Sequence, residues 1–105
     1  MRERRQLERF DLNLPAEIEC LAPIKQSLSL FTRNISAGGA YFDTNRPFPQ
    51  KSRIEIDLLL TIKRAENLPP MRAKIAVTGS VLRSEPAGMA VRFDEQYELI
   101  TLADA

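Results

Sequence analysis

The sequence predicts an all-β protein in which six antiparallel strands close into a small barrel. Three observations lead to this prediction. Apolar and polar residues alternate with a period of two over most of the 105-residue chain, as in strands with one buried face. The connections between these runs are short and rich in Pro, Gly, Asn and Ser, which favours antiparallel neighbours. A flat sheet of six short strands would expose two long edges, so a closed barrel is favoured.

Six alternating runs predict the six strands. The clearest run places apolar residues at every second position of residues 54–62. A run over residues 12–20 alternates in the same way, and its Pro15 indicates an edge or a bulge. Cys20, at the end of that run, is expected to be a buried small apolar residue. The other runs are residues 28–32, 40–42, 75–81 and 89–93, and their aromatic residues Tyr41, Phe42 and Phe93 are expected in the core.

The two ends of the chain depart from this pattern. Residues 1–10 are polar and rich in arginine, so we expect a flexible tail. In residues 94–105 the apolar pairs Tyr97 with Ile100 and Leu99 with Leu102 have helical spacing, and Asp94 is placed as an N-cap. We therefore expect one domain over residues 1–105, with a barrel over 11–93 and a short C-terminal helix over 94–105.

Composition excludes several classes of function. The chain has 15 Lys and Arg against 14 Asp and Glu, a net charge of +1, which does not favour non-specific binding to DNA. One cysteine and no histidine exclude an internal disulfide and the usual zinc sites, so no metal or other cofactor is expected. The sequence has no apolar leader and no apolar run long enough to cross a membrane. We expect a cytoplasmic protein without membrane insertion.

The residues needed for catalysis are also missing. Without histidine, no Ser–His or Cys–His nucleophile can be assembled. Most Asp and Glu residues alternate with apolar residues along strands, which is typical of a solvated face. The sequence therefore predicts a binding protein and no enzyme.

Two short motifs stand out from this background. Residues Arg5 to Arg9 form an RxxxR pattern, and Asn34-Ile-Ser36-Ala-Gly-Gly39 forms an [DN]xSxxG pattern. Taken singly, the first is typical of a solvated tail and the second of a turn after a strand. The second is the more specific of the two, and their order along a predicted barrel makes the combination informative.

In these motifs the sequence resembles the PilZ domain family, whose members bind the bacterial second messenger cyclic di-GMP. The resemblance covers almost the whole chain. It includes RxxxR before the first strand, [DN]xSxxG after the second, an apolar strand start at residues 39–42, and a Gly-x-x-Val-x-Phe strand at residues 88–93. The family fold, a six-stranded antiparallel barrel of the split-barrel type, agrees with the strand count reached from periodicity.

The resemblance implies a ligand site built from both motifs. Arg5 and Arg9 would contact guanine and phosphate, because a guanidinium can pair with guanine O6 and N7 and stack on a purine. Asn34 would meet a guanine edge, and the Ser36 hydroxyl would either contact a phosphate or hold the turn. Gly39 would allow close approach of the backbone. The family usually has Asp where this chain has Asn34, which can cost some affinity.

A further prediction concerns stoichiometry and output. Family members bind one cyclic di-GMP or an intercalated pair, and a pair brings four phosphate charges. The additional Arg4 leads us to predict two ligands per protein.

Since the chain ends directly after the predicted helix, we expect a stand-alone adaptor that passes the signal to an unidentified effector protein. Arg83 and Arg92 interrupt apolar runs, and the sequence assigns them no role.

Two other functions remain open at this point. One is a protein interaction module of the same fold that does not bind nucleotide, as in family members without the arginines. The other is a small barrel that binds single-stranded nucleic acid. The second is disfavoured by the charge of +1, the absence of Trp and the presence of only two Tyr, because such barrels combine a basic groove with exposed aromatic residues.

Overall fold

The structure, a computed structural model, describes residues 8–102. These residues form six antiparallel strands and no helix. The strands are β1 (Pro15–Ala22), β2 (Gln26–Ser36), β3 (Gly39–Asp43), β4 (Arg53–Ile62), β5 (Met71–Glu85) and β6 (Gly88–Thr101). The all-β prediction with six antiparallel strands is confirmed.

The sheet closes on itself. Its strand order is β1-β2-β3-β6-β5-β4, and β4 pairs back to β1 to complete a closed barrel. Every pairing is antiparallel. Closure gives the backbone groups of each strand a partner on both sides over the paired lengths, so no strand is left as an edge along its whole length.

The core occupies the inside of this barrel. Each strand contributes its alternate apolar residues, and Phe42, Ile54, Ile56, Leu58 and Met89 are at most 1% exposed. Cys20 is buried and free, as its position in the first run predicted. Burying a residue of this size contributes about 1.5–3 kcal/mol, so the interior faces of the strands supply much of the stability. Phe48, from the loop between β3 and β4, joins the same core.

The predicted C-terminal helix over residues 94–105 is wrong. Residues 94–101 continue β6, and Ile75 and Val77 of β5 lie opposite Leu99 and Tyr97. The first half of β5 offers a ladder of backbone donors and acceptors, whereas an isolated helix of 12 residues is marginal in water. The helical spacing arose because a strand with apolar residues on both faces also contains i, i+3 pairs. Residues 103–105 lie outside the described chain.

Asp94 does not cap a helix. It lies where the pairing of β5 with β6 shifts register, between Gly79–Phe93 and Val77–Tyr97. Arg53 donates to both of its carboxylate oxygens, at 2.6 and 3.3 Å, and Thr78 Oγ1 donates to one of them. These bonds tie the irregular part of β6 to β4 and β5. They also lower the pKa of Asp94 below its ordinary value, with the hydrogen bond from Arg53 as the largest cause.

We expect Asp94→Asn to lower stability in a pH-dependent way. A lowered pKa in the folded state stabilises the protein above the unfolded pKa, about 3.9, and this contribution is lost as the pH falls through the folded value. Both partner side chains are more than 40% exposed, so the difference at pH 7 is at most about 1 kcal/mol. Urea unfolding of the wild type and the variant at pH 7 and pH 3 measures the difference in free energy of unfolding. A difference that is the same at both pH values would show that the charge of Asp94 does not stabilise the fold.

Thr32 attaches the N-terminal segment to the barrel. It is 1% exposed, and its hydroxyl donates to the carbonyl of Leu12 and accepts from the amide of Leu14 at 2.9 Å. Its backbone carbonyl also accepts from the Asn13 side chain at 2.7 Å. Residues 12–14 are therefore held against β2 before β1 begins, which sets the path of the residues that precede them.

Replacing Thr32 by the isosteric Val should lower the free energy of unfolding by about 1–3 kcal/mol, because two backbone groups lose a buried partner. Urea unfolding measures the loss. Thr61→Val, at an exposed position of β4, is the matched control and should change stability by less than about 0.5 kcal/mol. Equal losses in the two variants would show that the Thr32 hydroxyl does not hold the segment.

Candidate functional site

The N-terminal segment brings the two sequence motifs together. Phe10 and Ile35 exchange backbone hydrogen bonds, the Phe10 amide donating to the Ile35 carbonyl at 2.8 Å and the Ile35 amide to the Phe10 carbonyl at 2.9 Å. Further along, the Thr32 amide donates to the carbonyl of Leu14 at 3.0 Å. The segment thus runs antiparallel beside β2 and delivers Arg9 to the end of that strand.

Arg9 and Asn34 are in direct contact. Arg9 Nη1 donates to Asn34 Oδ1 at 2.6 Å, across 25 residues of sequence. This bond joins the last residue of RxxxR to the first residue of [DN]xSxxG. It uses the side-chain oxygen of Asn34 as the acceptor. Arg9 itself is exposed.

Ser36 lies at the turn that follows. β2 ends at Ser36 and β3 begins at Gly39, so Ala37 and Gly38 form a two-residue connection. The amide of Gly38 donates to Ser36 Oγ at 3.2 Å, and that hydroxyl makes only a long contact of 3.5 Å to the carbonyl of Gly39. The Gly38 carbonyl accepts from the amide of Phe93 at 2.8 Å, which fastens the turn to β6. Within the turn, the Ser36 hydroxyl therefore accepts from one backbone amide and donates only through its long bond to Gly39.

Strand packing requires a glycine at position 39, independently of any ligand. Gly39 is buried between β2 and β6. A Cβ at this position would lie 2.1 Å from the carbonyl oxygen of Val91, far inside van der Waals contact. The last glycine of the motif therefore lets β3 approach β6, which holds the turn and Ser36 in place.

Two of the predicted site residues lie in the part of the chain that precedes residue 8. Arg4 and Arg5 lie outside the described residues. Of the six residues that the sequence indicated, the structure locates Arg9, Asn34, Ser36 and Gly39 around the end of β2 and the turn after it. Their proximity depends on the path of residues 8–14 and on the close packing of β3 against β6.

A group of charged and aromatic residues beside Asn34 was missed by sequence reasoning. Arg33 forms an ion pair with Asp43 at 2.6 Å and lies 5.0 Å from the centre of the Tyr41 ring. Tyr41 is half-buried on the outer face, not in the core as expected, and its hydroxyl donates to Glu85 at 2.7 Å. This hydrogen bond is the largest cause of the raised pKa of Tyr41. The register of β2 with β3 shifts between Thr32 and Asn34, so Arg33 and Asn34 both lie on this face, between the inward-facing Thr32 and Ile35. No sequence pattern signals such a shift.

An apolar groove of about 670 Å³ borders the same turn. Residues 36–38 form one wall, and the extended parts of β4, β5 and β6 form the other. Tyr97 and Leu99 line it and are 69% and 59% exposed. In place of the predicted C-terminal helix, β6 presents these side chains along the groove.

Other kinds of site are not found in the described part of the chain. Residues 8–102 contain no group of three or more Cys, Asp or Glu side chains arranged to hold a metal ion. Within the same residues there is no helix of the length and hydropathy that a membrane crossing requires.

The closed six-stranded sheet and the site at the end of β2 define a small all-β domain of the ligand-binding or partner-binding kind. The PilZ domain family model matches residues 3–103, which is nearly the whole chain. The chain belongs to the PilZ domain family.

A solved structure supports the fold. The structure of the Bacillus subtilis inhibitor of motility (MotI/DgrA) is similar, with a TM-score of 0.64 and 22% sequence identity. The match covers 90% of this chain and 44% of that one, so this chain spans less than half the length of that protein. No curated protein matches the sequence.

Proposed function

We propose that this protein is a receptor for cyclic di-GMP. The observation that carries the proposal is the 2.6 Å hydrogen bond from Arg9 to Asn34, since it joins one residue of each PilZ motif at the end of β2.

Each residue has a role that follows from the chemistry of the ligand. The guanidinium of Arg9 matches the O6 and N7 acceptors of guanine, and the free amide of Asn34 can donate to the same edge. The Ser36 hydroxyl donates to a phosphate oxygen. Arg5 would add a second guanidinium from the segment that precedes Arg9, and Gly39 shapes the turn without a side chain.

We further propose that the ligand binds as an intercalated pair. Two molecules carry four phosphate charges and need more cationic groups than one molecule does. Arg4 would supply one of them. A stoichiometry of two ligands per chain supports this part of the proposal, and saturation at one ligand per chain would refute it.

Isothermal titration of the full chain with cyclic di-GMP tests the function. We expect binding in the low micromolar range or tighter, which corresponds to about 8 kcal/mol or more. Cyclic di-AMP and GMP are the controls, because adenine has a donor where guanine has the O6 acceptor, and GMP lacks the second nucleotide. Absence of heat, together with no thermal stabilisation at millimolar cyclic di-GMP, would refute the receptor.

A protein interaction module without nucleotide binding is the second candidate. The apolar groove beside the turn favours it, because exposed Tyr97 and Leu99 are of the kind that partner proteins cover. In a receptor, ligand binding at Ser36 would also alter this groove, because residues 36–38 belong to the ligand site and line the groove. Titration of the wild type separates the two, because a receptor binds cyclic di-GMP and a pure interaction module does not.

The remaining parts of the proposal follow from the receptor. It needs no catalytic residue and no cofactor, because binding alone carries the signal. Its output passes to an effector protein, and neither DNA nor a membrane is among its partners. A cytoplasmic location places it where a bacterial second messenger is found.

A further inference from the structure

Arg92 lies in the same cross-strand row as the ends of the [DN]xSxxG motif. Ser36 of β2 is opposite Gly39 of β3, and Gly39 is opposite Arg92 of β6. Directly opposite residues of antiparallel strands point to the same face of the sheet. Arg92 is exposed, so its side chain lies on the outer face together with Ser36.

The guanidinium of Arg92 has no carboxylate partner among residues 8–102. Three other strand arginines do have one: Arg33 pairs with Asp43, Arg53 with Asp94 and Arg83 with Glu85. The positive charge of Arg92 is therefore not compensated within the described chain, in contrast to those of its neighbours. An exposed cation in this state is available to an anionic ligand.

Gly39 leaves a space between the two polar groups. Neighbouring strands are about 4.8 Å apart, which places the backbones of Ser36 and Arg92 about 10 Å apart with no side chain between them. The close approach of β3 to β6, which only glycine permits at this point, also draws Arg92 toward the turn. A phosphate group over Gly39 would be within reach of the Ser36 hydroxyl on one side and the arginine side chain on the other.

We propose that Arg92 binds a phosphate of cyclic di-GMP, opposite Ser36 and across Gly39. This inference rests on the proposed function and deepens it. It divides the site into a guanine-binding part, formed by Arg9 and Asn34, and a phosphate-binding part, formed by Ser36 and Arg92. It also gives a role to an arginine that the sequence left unassigned.

Titration of Arg92→Ala with cyclic di-GMP tests the proposal. A charge-assisted hydrogen bond to phosphate predicts an affinity about 10- to 100-fold weaker than that of the wild type. Arg72→Ala is the matched control, since Arg72 is also exposed on a strand. It lies at the start of β5, across from Thr61, whereas Arg92 lies across from Ser80 near the middle of that strand. That variant should bind like the wild type. Thermal unfolding should show that both variants remain folded.

Arg92→Lys distinguishes a phosphate contact from a guanine contact. Lysine binds phosphate as a point charge but lacks the fork that pairs with guanine. We expect Arg92→Lys to recover most of the affinity, with a salt dependence close to that of the wild type. Wild-type affinity in folded Arg92→Ala would overturn the inference and leave the receptor standing. Failure of the wild type itself to bind cyclic di-GMP would overturn the receptor and, with it, this inference.

Discussion

Replacing Arg9 by alanine is expected to weaken cyclic di-GMP binding by about 5- to 150-fold while the fold remains intact. A bidentate contact to guanine is worth about 1–3 kcal/mol, and the Asn34 side chain loses the partner that orients it. Stability should change little, because Arg9 is exposed and lies before the first strand. Isothermal titration gives the affinity, and urea unfolding gives the stability.

Arg9→Lys is the control that separates charge from geometry. Lysine retains the positive charge but cannot form the planar fork, so we expect its affinity to lie nearer to that of alanine than to that of the wild type. This outcome is the opposite of the one expected at Arg92, where phosphate is the proposed partner. If Arg9→Lys binds as tightly as the wild type, Arg9 contributes only charge, and guanine recognition must come from elsewhere.

Gly39→Ala should destabilise the protein by about 3 kcal/mol. The new Cβ would lie 2.1 Å from the Val91 carbonyl oxygen, which is part of the β6 backbone and cannot rotate away as a side chain would. Strands β3 and β6 must separate, and overpacking of a well-packed sheet costs about 1–3 kcal/mol or more. Denaturant unfolding measures the loss as a lower midpoint at unchanged slope.

Ser36→Ala is the companion variant for Gly39→Ala. It removes a hydroxyl from the same motif without adding any atom, so stability should fall by less than about 1 kcal/mol. Its effect should appear in cyclic di-GMP affinity instead. If Ser36→Ala loses as much stability as Gly39→Ala and keeps its affinity for cyclic di-GMP, the motif serves only the turn. An unchanged stability in Gly39→Ala would mean that β3 and β6 tolerate separation.

Part of the site was predictable from the sequence, and part depended on contacts between strands. Motif recognition needs only residue types and spacing, so Arg9, Asn34, Ser36 and Gly39 could be named from the chain. Their assembly depends on the buried Thr32, whose hydroxyl holds residues 12 and 14. A threonine at the end of an apolar run carries no sequence signal for that task. The contacts of Arg33 with Tyr41 and Asp43 lie beside Asn34, which a register shift between β2 and β3 keeps on the same outer face.

The sequence by itself determined the fold class, the number of strands and the identity of the motifs. These depend on local alternation and on turn chemistry, which a linear chain displays directly. Only the tertiary structure decided the state of residues 94–101, because the backbone of β5 offers them a ladder that a short helix cannot match. It also decided which arginines are paired and that Arg92 faces Ser36 across Gly39. Cross-strand register determines those contacts, and register is set by pairings between residues far apart in the chain.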